Sequence, residues 1–276
     1  SLTVSITLTL SLCGRDITAL EQYRVIEGVL KIEGTDLTRI RLPNLEQVGE
    51  IYIKDNAYLT NIEFPNLAST TWRFYVEDNS RVSTLDIARL ATVGTDFHID
   101  DADALETLNG PALTSVAGYL RISSNNALAT LGDGFAALTS VSSLSISSNG
   151  ALTTLGDGFA ALTSVGGYLD ILNNDALTTL GDGFAALTSV GGYLSIASND
   201  ALTTFGTSFA NLAEITGAST ILGASYRVEN NRNLPTCIAN YFRDNVPRAA
   251  GGWRGGGNGP FCNCELAGDE VVATCP

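Results

Sequence analysis

The sequence predicts a β-solenoid, with right-handed coils of 22–25 residues stacked into a parallel sheet and closed by short helical caps. The segment LTTLGDGFAALTSVGGYL stands at 152–169 and again at 177–194, an internal repeat of the size of one supersecondary unit. Coil starts at Leu37, Leu59, Val82, Leu105, Leu128, Leu152, Leu177 and Leu202 are spaced 22, 23, 23, 23, 24, 25 and 25 residues apart. Each coil also carries two apolar residues at period two, the mark of a short strand with one buried face: Leu30/Ile32, Ile51/Ile53, Phe74/Val76, Phe97/Ile99, Leu120/Ile122, Leu144/Ile146, Leu169/Ile171 and Leu194/Ile196. One coil cannot bury its apolar face alone, so neighbours complete the core by stacking. Rungs about 4.8 Å apart build a rod about 40 Å long.

Taken in order, residues 1–16 form an N-terminal extension in which Leu2, Val4, Ile6, Leu8, Leu10 and Leu12 alternate strictly with Ser and Thr. That is an amphipathic strand of high β propensity. It either folds back on its own first coil as a cap or adds to the sheet edge of a neighbouring molecule, and head-to-tail addition would build an open filament. The solenoid proper spans 17–233. Thr18 and Glu21 suit a capping box on a short helix over 17–23. An Asn follows most strands, at Asn56, Asn79, Asn125, Asn149, Asn174, Asn199 and Asn231, with Ala102 the exception. Stacked in register these amides satisfy backbone groups at an inward corner. The last coil is longer, 32 residues from Leu202 to Leu234, with an insertion around 219–225. Residues 234–276 read as a C-terminal helix and disulfide-rich cap, the helix lying over 236–246 behind Asn233 and Pro235 and followed by a flexible GGWRGGGNG loop at 251–259.

The stretch VIEGVLKIEGTDLTRIRLPNLEQVGEIYIKDNAYLTNIEFPNL resembles the receptor L-domain form of the leucine-rich solenoid. The later LTSVGGYLSIASNDALTTF coils, with the closing NLPTC, are similar to repeat arrays of surface proteins of the myxobacterial type. The resemblance covers about residues 13–246 and implies a secreted or surface-attached module for recognition or adhesion, without catalytic chemistry. It carries over no functional residue, and a shared fold does not settle a function.

Composition narrows the partners. With 29 acidic and 15 basic residues and a net charge of −14, the chain lacks the basic patch that nucleic acids or anionic membranes require. No apolar run reaches the roughly 20 residues of a spanning helix. The absence of an initiator Met suggests a processed, exported chain, placed outside the cell or on its surface. Cys237, Cys262, Cys264 and Cys275 are disulfide candidates within the C-terminal cap, which suits an oxidising compartment, and Cys13 is left at the other end of the rod.

No constellation points to catalysis, a cofactor or a metal. GDGFAA at 132–137, 156–161 and 181–186 matches a dinucleotide fingerprint in letters, but it recurs coil after coil and reads as corner glycines. His98 is the single histidine and has no nucleophile motif beside it. Asp96, Asp100, Asp101, Asp103 and Glu106 match no defined calcium loop and read as an exposed acidic corner. The pairs Thr153/Thr154, Thr178/Thr179 and Thr203/Thr204 would stack into two short rows, a remote hint of ice binding. One outward column holds Lys31, Tyr52, Tyr75, His98, Arg121, Ser145, Asp170 and Ser195. Its aromatic and cationic half, Tyr52, Tyr75, His98 and Arg121 foremost, is the candidate binding face for a protein or glycan, set against a solvated face with cross-coil pairing. The expected function is therefore a non-catalytic recognition, adhesion or scaffold module, with a self-assembling filament subunit as the alternative.

Overall fold

The computed structural model describes residues 2–4, 8–11, 17–108, 110–219, 224–246, 248–249, 251–259, 263–267 and 270–274. The chain is a parallel β-solenoid of about 10 turns whose strands join in one large sheet. Period two decides which residues enter. Leu30, Ile51, Phe74, Phe97, Leu120, Leu144, Leu169 and Leu194 lie in one register column and Ile32, Ile53, Val76, Ile99, Ile122, Ile146, Ile171 and Ile196 in the next, all fully buried. On the opposite side Arg39–Arg41, Asn61–Glu63 and Thr84–Asp86 make a short second sheet, continued as single bridges from Thr107 through Thr130, Thr154 and Thr179 to Thr204. Phe135, Phe159, Phe184 and Phe209 stack face to face along the axis with centroids 5.3, 5.4 and 5.3 Å apart.

Two corners set the shape of each coil. Immediately before each ladder position stands a residue in the left-handed region, Asp55, Asp78, Asp101, Ser124, Ser148, Asn173, Ser198 and Asn230, with φ between 54° and 58°. Asn and Asp enter this region more readily than most side chains. The turn aims the following Asn inward. Asn56, Asn79, Asn125, Asn149, Asn174, Asn199 and Asn231 are all fully buried. Asn149 is typical: its Nδ2 donates to Ile122 O (3.0 Å) and Asn174 Oδ1 (3.2 Å), while its Oδ1 accepts from Asn125 N (3.1 Å). The other corner is GDGFAA, where Gly132, Gly156 and Gly181 have φ of 51°, 58° and 62°. These are the corner glycines that the sequence predicts, in turns rather than at the head of a crossover helix.

The ends differ in detail from the expectation. The short helix expected over 17–23 is a single 3₁₀ turn, Ile17–Leu20, with Glu21 N–H donating to Thr18 O (3.0 Å), and it stops early because the strand Tyr23–Glu33 follows at once. In front of it Leu2–Val4 and Leu8–Ser11 pair in parallel with that strand, Leu2 opposite Tyr23, Leu8 opposite Leu30 and Leu10 opposite Ile32. These two strands thus lie as a further rung on their own first coil; Ile6, Leu12 and Cys13 lie outside the described residues.

At the other end the helix Thr236–Asn245 forms as expected, but its N-cap position is Pro235 with no side-chain cap, and the Thr236 hydroxyl donates to Gly259 O at 2.9 Å. The glycine-rich segment 251–259 is not a flexible loop. Gly252–Gly256 is a parallel strand on Ala224–Glu229, with Trp253 opposite Tyr226, and Asn258 continues the Asn ladder by accepting from Asn231 N at 3.2 Å. One large side chain and one amide, each at its register position, suffice to make a rung of a segment that composition alone marks as a linker. Asn263–Ala267 and Glu270–Thr274 form an antiparallel hairpin. Cys237 is disulfide-bonded, Cys264 is described as backbone alone, and Cys262 and Cys275 lie outside the described residues.

Candidate functional site

The outward face of the large sheet carries three columns, because residues flanking each buried pair all point away from the core. The central column is the one predicted: pairing places Lys31, Tyr52, Tyr75, His98, Arg121, Ser145, Asp170 and Ser195 in single file and extends it through Arg227 to Arg254. Sequence reasoning missed the column just before it, with Arg73, Asp96, Tyr119, Tyr168 and Tyr193. The signal was the repeated GYL at 118–120, 167–169 and 192–194, whose tyrosine precedes a buried Leu and so must face outward.

Together the two columns make one aromatic stripe. Tyr52 and Tyr75 lie 6.5 Å apart and tilted, Tyr75 and His98 stack at 4.2 Å, and His98 meets Tyr119 edge-on at 5.3 Å. There the stripe changes column and continues from Tyr119 to Tyr168 at 5.5 Å and from Tyr168 to Tyr193, stacked, at 5.4 Å. Lys31 caps the Tyr52 ring at 5.2 Å and the Arg73 guanidinium lies 5.5 Å from the Tyr75 ring. Ring faces are therefore largely turned toward neighbouring rings and cations. The Tyr168 backbone reaches this position because Gly167 and Gly192 meet in adjacent coils; a Cβ on Gly192 would lie 2.7 Å from Gly167 backbone atoms.

The front half is charged. Tyr75 OH donates to Asp96 Oδ2 (3.2 Å), whose Oδ1 accepts from Tyr119 N (2.8 Å), and burial with the nearby Asp96 charge pushes the Tyr75 phenol up to about 12. His98 Nδ1 lies 3.4 Å from Glu77 Oε1, its Nε2 is buried without a hydrogen-bond partner, and burial lowers its pKa. Arg121 Nε donates to Asp100 at 3.0 and 3.2 Å. Burial nevertheless outweighs that guanidinium and pushes the Asp100 carboxyl up to about 7.

The back half departs from the expected solvated face. Ser145, Asp170 and Ser195 are buried among the tyrosines, with Tyr193 OH donating to Asp170 Oδ2 at 3.1 Å. Burial pushes Asp170 up to about 6. Asp170 Oδ1 and Ser195 Oγ have no hydrogen-bond partner.

The remaining candidates separate. Within the acidic group Asp100 is buried on Arg121, Asp101 is a left-handed corner, and Asp103 accepts from Asn126 at 2.6 Å, so the five carboxylates do not converge as an exposed cluster. The paired threonines split. Thr154, Thr179 and Thr204 accept from Gly156, Gly181 and Gly206 N at 3.0 Å and are half-buried, which leaves one exposed row, Thr153, Thr178 and Thr203, donating to carbonyls of the preceding coil. No helix among the described residues is long and apolar enough to cross a membrane. No family model matches the chain, and no curated protein matches it.

Proposed function

We propose that this chain is a non-catalytic recognition and adhesion module of the L-domain-like kind, acting outside the cell or on its surface, and that the aromatic stripe is its binding face. The observation that carries the reading is the run of six rings, Tyr52, Tyr75, His98, Tyr119, Tyr168 and Tyr193, held on a rigid sheet between flanking cations and carboxylates. Tyrosine supplies contact area and a polar tip at small entropic cost, which suits recognition. Because the ring faces are largely taken up by neighbouring rings and cations, a protein partner fits better than a sugar stacked on a ring. The disulfide at Cys237 supports an oxidising compartment, with Cys262, Cys264 and Cys275 as the candidate partners.

Tyr52→Ala with Tyr75→Ala should lower capture of a surface-protein ectodomain on the order of tenfold while leaving the circular dichroism unchanged. Equal capture by the double variant would reject the stripe, and a signal confined to a glycan array would move the ligand to the carbohydrate class. A second reading, a filament subunit joined end to end, rests on the front strands Leu2–Val4 and Leu8–Ser11, which continue the sheet in register and carry no charge. Negative-stain microscopy with light scattering tests it. Filaments lost on deleting residues 1–12 support it, and discrete monomeric rods from both chains reject it.

A further inference from the structure

We propose that Glu77, His98 and Asp100 form a binding site for a divalent transition metal of the Zn²⁺ and Co²⁺ class. The site follows from strand geometry. His98 and Asp100 stand two apart on the strand Phe97–Asp100, so both leave the same face, while Phe97 and Ile99 between and before them are fully buried. Glu77 is the register partner of Asp100 on the neighbouring strand Phe74–Glu77. Two positions on one strand and one across the ladder make a triangle of side chains, and one ligand atom from each lies within 4.8 Å of the other two.

The distances suit coordination better than hydrogen bonding. His98 Nδ1 and Glu77 Oε1 are 3.4 Å apart, long for a hydrogen bond but equal to the edge that two donors share around one metal at about 2.1 Å. The third donor lies within 4.8 Å of the other two, so closing it onto the same centre takes a side-chain adjustment at Asp100 or Glu77. One imidazole nitrogen and two carboxylates favour zinc, cobalt or manganese over calcium, which takes oxygen ligands alone.

The surroundings are those of a supported site. Arg121 Nε lies 3.0 and 3.2 Å from the two oxygens of Asp100, as an outer partner orients a ligating carboxylate. Tyr75 stacked on the imidazole at 4.2 Å and Tyr119 against it edge-on at 5.3 Å fix the ring plane. Lys54 is drawn to Asp78 at 3.0 Å and pairs with Glu77 at the longer distance of 3.8 Å, so the nearer cation is held mainly by another carboxylate. The proposal is independent of what the stripe recognises.

Because the chain has one histidine, its imidazole NMR signals report the site without ambiguity. Full-length protein freed of metal with a chelator is titrated with Zn²⁺, and Co²⁺ binding is followed by visible absorption. The expected result is a shift of the His98 resonances that saturates at one equivalent, a Co²⁺ band displaced by Zn²⁺, and weakening by more than about tenfold in both Glu77→Gln and His98→Ala. Asp103→Asn, an exposed carboxylate elsewhere, should bind as the parent does. Should His98→Ala fail to fold, the Glu77→Gln comparison decides. Unmoved histidine signals, or equal Co²⁺ affinity in Glu77→Gln and the parent, would overturn the site.

Discussion

Asp170 shows what the stack does to a single group. It lies under Tyr193, beside Ser145 and Ser195 in its column, with Tyr168 alongside and the Arg227 charge acting on it from two coils on. Burial raises its pKa from 3.8 to about 6, so the folded chain binds its proton more tightly than the unfolded chain does. The sign follows. Stability is undiminished below about pH 4, falls as pH rises toward 6, and above that carries a penalty of about 3 kcal/mol at most. Asp170→Asn keeps an acceptor for Tyr193 and removes the charge. Its urea midpoint should exceed the parent's at pH 8 and match it at pH 4; equal midpoints at pH 8 would show that the carboxylate is not desolvated. None of this was legible in the sequence. Period two puts Asp170 outward, and only the lean of Tyr168 and Tyr193 across the column, a tertiary effect, encloses it.

At the scale of the element, the Asn corner is the repeated device. Its amides were legible because buried corner amides recur at the coil period, whereas the left-handed residue before each was not, since Asp, Ser and Asn all fill that place. Asn149→Ala strips four hydrogen bonds from a fully buried position, and a loss of about 2–4 kcal/mol in chemical denaturation is expected. The converse experiment is offered by Ala102, fully buried where the ladder is broken; its own N–H donates to Asn125 Oδ1 at 3.1 Å. Ala102→Asn restores an acceptor above Asn79 and should raise stability by about 1 kcal/mol. A drop in midpoint would mean that the corner there is too tight for an amide. The Phe stack behaves similarly: Phe159→Ala opens a void between Phe135 and Phe184 and should cost about 3–5 kcal/mol.

For the whole molecule, each coil touches chiefly its two neighbours, so length is adjustable. Deleting residues 152–176, one complete coil, joins Ala151 to Leu177 in unchanged register because the following coil has the same sequence pattern. The shortened chain should fold cooperatively, lose about 4.8 Å of length in small-angle scattering and keep the front stripe intact. An unfolded product would show that the coils are not interchangeable. The repeat made the body of the solenoid readable, and the ends less so. The front extension and Gly252–Gly256 lack the coil pattern and become rungs only because a finished edge stands beside them to pair with.

The Asn ladder also gives the rod a direction. Wherever one amide meets the next, the Nδ2 group donates toward the C-terminal neighbour: Asn56 to Asn79, Asn125 to Asn149, Asn149 to Asn174, Asn174 to Asn199, Asn199 to Asn231 and Asn231 to Asn258. Amide dipoles aligned this way polarise one another and add along the axis, as peptide dipoles do in a helix. The interior is a wire of like-pointing arrows with one gap at Ala102, its acceptor end toward the N-terminus and its donor end toward the C-terminus. Two such rods placed end to end continue the arrows only head to tail; head-to-head contact would set acceptor against acceptor.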